Sequence, residues 1–401
     1  MPDYDAFLLV SFGGPEGPGD VLPFLRNVTR GRGIPDERLA EVAAHYDAFG
    51  GVSPLNQQCR DLLTAVGKDF AASGLSLPLY WGNRNWDPLL PDTVRAMAAD
   101  GVRRALAFVT SAYGSYSSCR QYLEDIERAR AAAGPGGPKI DKIRHYFNHP
   151  GFIGPLADST LAAIGRLPRA ARAGAHLVFT AHSIPLAMAA ASGPPGHRPP
   201  PGRYVTQLTE AARLVAARVG GHPWRLVYQS RSGPPSQPWL GPDVNDHLAE
   251  LAAAGAPGAV LVPVGFVSDH VEVLYDLDTE AAATAARLGL PLQRAATPGT
   301  DPRFVAMITE LVRERLDGGT ERAALGTLGP ACDACPADCC GPLGPAESAA
   351  GPDCAAGADS AAGPDSAAGP DSAAEADSAA EADSAAGPDS AAGAAAGPAG
   401  S

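Results

Sequence analysis

Short apolar runs alternate with longer amphipathic stretches along residues 1–320, a pattern that predicts an α/β fold with parallel strands covered by helices. The runs fall at 6–10, 77–81, 105–110, 176–180, 225–228 and 259–264, each short enough for a buried strand. Most open onto small or polar residues: Ser11-Phe12-Gly13-Gly14, Gly82-Asn83, Ser111-Ala112, Ala181-His182-Ser183, Gln229-Ser230 and Gly265-Phe266-Val267-Ser268. Open α/β sheets bind ligands at the carboxyl ends of their strands, so these junctions are where chemistry is expected. Alanine-rich amphipathic stretches at 155–167 and 205–219 predict covering helices. Glycine and proline mark loops at 131–138 and 193–201, and a domain boundary is expected near Pro150. The economical architecture is two Rossmann-like domains, 1–150 and 151–320, facing a cleft.

Composition changes this picture mainly at the C-terminus. The chain has 401 residues, of which 45% are hydrophobic, enough for two cored domains. Its net charge of -13 is concentrated: residues 341–401 hold ten acids and no Lys or Arg, leaving -3 for the first 340. The folded part therefore offers no strongly basic face, which argues against nucleic acid as a partner. Six copies of an Ala-Ala-Gly/Glu-Pro/Ala-Asp-Ser unit fill 355–390, and a related unit at 349–354 carries Cys354 in the serine slot. With no aromatic or β-branched residue the repeat cannot bury a core, so 346–401 is expected to be a disordered acidic tail. No apolar stretch is long enough to span a membrane, and acids precede the first apolar run where a signal peptide would be basic. A cytoplasmic protein is expected, in which the seven cysteines are thiols or metal ligands.

Three groups of residues could carry chemistry. In the stretch 265–280 (GFVSDHVEVLYDLDTE), a helix starting after Ser268 would place Glu272, Asp276 and Glu280 along one face. Such a ladder suits hard cations, although the same spacing describes an ordinary solvated acidic face. His182 follows a strand directly and should project into the same cleft, where with a facing carboxylate it supplies a base and a cation ligand. The third group is Cys332, Cys335, Cys339 and Cys340 (CDACPADCC), within a strap at 321–345. Its density points to metal, either zinc or an iron–sulfur cluster drawing a further thiolate from elsewhere. Cys119 stands at a strand-to-helix junction, whereas Cys59 reads as a core residue of a helix. Arg30 and Arg32 lie in a glycine-flanked loop where guanidinium forks could meet carboxylates. Tyr46, Ser53 and Tyr122 offer hydroxyls near the loops.

Five separated motifs resemble the ferrochelatase family: LLVSFGGPEGP at the start, HYDAFGGVSPLN at 45–56, FTAHSIP at 179–185, YQSRSGPPSQPWLGP at 228–242, and the acidic stretch above. The resemblance implies the chelatase fold, two Rossmann-like domains around a porphyrin cleft, and insertion of Fe²⁺ with loss of two pyrrole protons. It assigns the family's His and Glu to His182 and Glu272, as proton acceptor and iron ligand in an order left open, with Asp276 and Glu280 as a path for iron or protons. It further implies porphyrin contacts from Ser53 and Tyr122, and propionate contacts from Arg30 and Arg32. Phe12 stands where some members carry a Tyr able to ligate product iron, which leaves His182 as the axial ligand.

Members with a [2Fe–2S] cluster use one cysteine of the first domain and a C-x2-C-x4-C near the C-terminus. Cys119, Cys332, Cys335 and Cys340 fit that arrangement, with Cys339 as the spare or the substitute for Cys340. A structural or sensing role is expected of the cluster, because metal insertion transfers no electron. The resemblance favours coproporphyrin III over protoporphyrin IX as substrate, since the arginines would meet its four propionates. A non-catalytic haem or iron–sulfur sensor on the same scaffold is the competing reading. Transient contacts with other enzymes of haem synthesis are a further expectation.

Overall fold

A computed structural model of the chain describes residues 4–31, 33–196, 201–232, 236–318 and 321–341. Arg32 and the acidic tail lie outside the described residues. Eight strands form two parallel sheets of four. In the first, β1 (Ala6–Ser11) lies between β2 (Leu79–Asn83) and β3 (Arg104–Val109), with β4 (Lys139–Lys142) at the far edge. In the second, β5 (His176–His182) lies between β6 (Trp224–Gln229) and β7 (Ala259–Val262), with β8 (Leu292–Arg294) outermost. Both sheets thus have one topology: the first strand sits inside and the chain leaves it to opposite sides. A crevice opens at the carboxyl end of that first strand, where the flanking connections part. Phe12 follows β1 and His182 ends β5, so both crevices hold residues expected from the sequence to be functional.

The six expected strands all form, within two or three residues of the expected limits. Strands β4 and β8 were not expected. They read KIDK and LQR, because an edge strand is half solvated and needs no apolar run. The predicted helices appear as Pro150–Arg166 and Arg203–Val219.

One buried cluster joins the halves, with Phe7, Leu9 and Phe108 of the first sheet packed in the same core as Phe152, Phe179 and Phe304. Polar ties add register. Tyr113 Oη donates to the Val264 carbonyl (2.7 Å), Gln207 Oε1 accepts from the Gly114 amide (2.8 Å), and Gln58 Oε1 accepts from the Asp269 amide (2.9 Å). The expected helix start is corrected: the helical turn begins at Val271, with His270 and not Ser268 at the cap position and no side chain capping it. Leu274–Ala281 then continue as π-helix, a wider turn frequent at functional sites. Among the described residues no helix is long and apolar enough to cross a membrane.

Candidate active site

His182 reaches the cleft because it is the last residue of a central strand, held by the pairing of its backbone with Gln229 on β6. Its Nδ1 lies 2.5 Å from the Ser183 carbonyl. A carbonyl only accepts, so Nδ1 carries hydrogen and Nε2 is left to face the cleft. The Tyr204 hydroxyl donates to the His182 carbonyl (2.9 Å) and steadies the strand end.

Opposite stands Glu272, in the first helical turn, with Oε1 3.4 Å from His182 Nε2. Both side chains are set deep among protein atoms yet remain 36% and 42% exposed, so water and a ligand can reach them. Burial opposes charge on the imidazole, but the Glu272 carboxylate, the Ser183 carbonyl and Asp276 outweigh it and raise the His182 pKa to about 9. Burial likewise opposes charge on Glu272, but His182, His270 and the Ser230 hydroxyl outweigh it and lower that pKa to about 2. The pair is an imidazolium facing a carboxylate at neutral pH.

Asp276 continues the line one turn along the π-helix. Its Oδ2 accepts from Gln229 Nε2 (3.1 Å) and from the Ser230 hydroxyl. Burial, then the charges of Glu272 and Glu280, push its pKa up to about 7, against the pull of these donors. Ser230 is one of two non-glycine residues among those described with a left-handed backbone (φ 62°), a costly conformation that aims its hydroxyl at the carboxylates. Glu280 is exposed at the outer end. A file of carboxylates therefore runs from the half-exposed Glu272 to the exposed Glu280. His45 stacks on Tyr275 (3.7 Å between centres) and lays helix Asp36–Asp47 of the first half against this segment. Burial and then Glu272 raise the pKa of nearby Tyr46.

The remaining expected residues are more scattered. Phe12 is 37% exposed beside Phe24, with the Arg84 guanidinium over its ring. Ser53 is buried against Gly14, where an added Cβ would lie 2.6 Å from the serine Cβ. Tyr122 is not gathered with the pair: it belongs to the first-sheet core with Leu8 and Val10, under the Arg84 guanidinium 4.5 Å from its ring centre. Arg30 is exposed in the turn after helix Val21–Val28. Sequence reasoning missed Gln229 and Ser230 as partners of Asp276. Their position at a strand end was the available signal.

The cysteines gather on another flank. Cys332 and Cys335 Sγ lie 3.5 Å apart and Cys339 and Cys340 Sγ 3.8 Å apart. Burial pushes the nearby Cys119 thiol up to about 11. Arg203 Nη1 is 3.9 Å from Cys335 Sγ, and Cys340 Sγ accepts from the Gly193 amide (3.1 Å). Among the described residues no three His, Cys, Asp or Glu are placed to hold one metal ion. Two thiols per iron is what a [2Fe–2S] cluster asks, and metal–sulfur bonds of ~2.3 Å put two thiolates of one tetrahedral ion roughly 3.8 Å apart. The Cys332–Cys335 spacing is close to that value, whereas the second close pair is Cys339–Cys340 and not Cys119–Cys340. Cys59 is buried in helix Leu55–Ala72, as expected.

Known proteins give a context for this geometry. The chain is 57% identical over 362 residues to the coproporphyrin III ferrochelatase of Streptomyces griseus, covering 87% of this chain and 96% of that one. It is 57% identical over 373 residues to the protein of the same name from Streptomyces coelicolor, covering 88% and 99%. Among solved structures, SirB from Bacillus subtilis superposes with a TM-score of 0.49 at 11% identity, over 79% of this chain and 98% of its own. The sequence pattern of the ferrochelatases matches residues 4–316, which include both sheets and the His182–Glu272 pair, and the chain belongs to the ferrochelatase family.

Proposed function

We propose that this chain inserts Fe²⁺ into coproporphyrin III, releasing two pyrrole protons and giving the iron porphyrin used in haem synthesis. The observation that carries the reading is the pair of His182 Nε2 and Glu272 Oε1, 3.4 Å apart, at the head of a carboxylate file that reaches solvent. The relatives from Streptomyces bear the name of that reaction.

The chemistry follows from the protonation states. In the free protein the imidazolium cannot take a proton. Ferrous iron passing along Glu280, Asp276 and Glu272 brings positive charge to the carboxylate that holds the His182 pKa high. That charge lowers the imidazole pKa and frees Nε2 as a base. The proton already on Nε2 leaves along Asp276, whose pKa near 7 suits both uptake and release, and the two pyrrole N–H protons then pass one after the other to Nε2 and out by the same route. Oxygen donors hold Fe²⁺ less tightly than imidazole or thiolate, so the ion is delivered rather than kept. Residues 1–150 and 151–320 act as the two walls, with Phe12 and Ser53 on the first. Arg30 and Arg32 are the proposed propionate partners, Tyr122 a porphyrin contact on the Phe12 side beneath Arg84, and the cytoplasm the place of action.

We further propose that Cys119, Cys332, Cys335 and Cys340 hold a [2Fe–2S] cluster. When bound, it cross-links the strap to the first half and supplies no electron to the insertion. An anaerobic assay with Fe²⁺, comparing coproporphyrin III and protoporphyrin IX, tests the function. Preference for coproporphyrin is expected; preference for protoporphyrin overturns the substrate, and binding without turnover overturns the enzyme in favour of a sensor. Visible absorption of anaerobically prepared protein tests the cluster, and a colourless protein with stoichiometric zinc overturns it.

A further inference from the structure

The second sheet carries another group of imidazoles, away from the cleft. His176 opens β5 and His182 closes it six residues later, roughly 20 Å along the strand. His247 lies in helix Val244–Ala253, which packs on the same sheet, and its ring stands 5.3 Å from that of His176 at 68°. Its Nδ1 is 2.9 Å from Glu250 Oε2. The hydrogen bond from His247 and the charge of Arg225 lower the Glu250 pKa, so the carboxylate is ionised and only accepts. Nδ1 must therefore carry a hydrogen, and the lone pair of the neutral ring belongs to Nε2. Arg225 keeps to the Nδ1 edge of the ring, 2.8 Å from Glu250 Oε2 and 3.4 Å from Nδ1. Among the described residues, His247 Nε2 is buried without a hydrogen-bond partner, and His176 Nδ1 is buried with no well-formed side-chain bond, its ring lying beside the Leu177 backbone. His247 as a whole is 3% exposed.

We propose that His176 and His247 form a binding site for a borderline divalent cation of the Zn²⁺, Co²⁺ or Ni²⁺ type, with Glu250 orienting His247 from behind. Two imidazoles on one tetrahedral ion at ~2.0–2.1 Å bring their ring centres roughly 5 Å apart, which is the spacing seen. A ligating histidine that gives its other N–H to a carboxylate is the arrangement by which proteins fix the tautomer and raise ligand basicity. Nitrogen donors select such ions over Mg²⁺ or Ca²⁺, which require oxygen. Arg225 and Glu250 cancel in charge, so the group is neutral before the cation enters. The bound ion would pin helix Val244–Ala253 to the amino end of β5.

The test is equilibrium dialysis of the full chain against Ni²⁺ near neutral pH, with His176→Asn and His247→Asn as variants. Each variant should bind one ion fewer than the parent, while porphyrin metallation stays within twofold, since neither residue touches the cleft. Equal stoichiometry in parent and His176→Asn overturns the site. The His176 ring is the more exposed of the two at a strand start, so that variant carries the result if His247→Asn does not fold. On the unaltered chain, Ni²⁺ should broaden the ring signals of two histidines that show a mutual nuclear Overhauser effect. Signals left sharp at saturating Ni²⁺ overturn the proposal without any substitution.

Discussion

One proton decides the state of His182, and its partner decides the proton. A His182 pKa of about 9 means that the free enzyme carries the imidazolium through most of the physiological range. Raising the pH removes that proton, so kcat/KM should climb toward a limb near 9, because this ratio reports the free enzyme. Glu272→Gln takes away the charge that holds the proton, and the limb should move to lower pH. Turnover at its plateau should fall by ~10²-fold or more, the usual share of a positioned acid–base group. A pH profile of anaerobic insertion for parent and variant checks both statements; a limb that does not move contradicts the coupling. His182 and Glu272 were legible because each sits where a sequence pattern changes, at a strand end and beside a run of acids. Ser230 was legible only as a strand-end residue; its partner was not, since the contact with Asp276 bridges 46 positions. Tyr122 shows the opposite case: its motif is readable, but packing turns it under Arg84 into the core.

At the level of elements, the site depends on how tightly β5 meets the loop after β7. The Gly265 amide donates to the Thr180 carbonyl (3.0 Å), and a Cβ at Gly265 would stand 2.7 Å from Ala181 Cα and Cβ. Both are strand atoms next to His182, so the backbone itself must shift. Gly265→Ala should destabilise the protein by about 1–3 kcal/mol and lower kcat more than porphyrin affinity, as His182 moves off its line. Urea unfolding and steady-state kinetics read the two effects, and parent-like turnover would show that the strand end has slack. The strands themselves were legible from apolar runs, and the two that were missed are polar edges. The spacing of Glu272, Asp276 and Glu280 suggested a regular helix face. The π-turn that carries Asp276 and Glu280 leaves no trace in periodicity, because it is set by the neighbours that it packs against.

At the scale of the molecule, the strap that bears the cysteines is tied by its backbone carbonyls to a buried ion pair and its neighbour Asn148. Arg144 Nε and Nη2 each lie 2.7 Å from a carboxylate oxygen of Glu314, and Nη2 also donates to the Ala323 carbonyl (2.9 Å). Asn148 Nδ2 adds bonds to the carbonyls of Leu325 (3.1 Å) and Gly329 (2.8 Å). The two charged side chains are 1% and 7% exposed, so removing one leaves the other desolvated without its main partner. Arg144→Met should cost about 3–5 kcal/mol in unfolding free energy. Arg322, 3.6 Å from Glu314, places the loss toward the lower end. The same variant should loosen the strap and bleach whatever absorption the cysteines confer. Truncation separates strap from tail. A chain ending after residue 345 keeps the four cysteines and every bond just named, and should insert iron at the parent rate. A chain ending after 320 loses all four strap cysteines together with the Ala323, Leu325 and Gly329 carbonyls that accept from Arg144 and Asn148, and should be both less stable and colourless. Equal activity and absorption in the two truncations would remove the strap from the working enzyme. Reduced activity in the longer one would give the acidic repeat a role that its composition does not suggest.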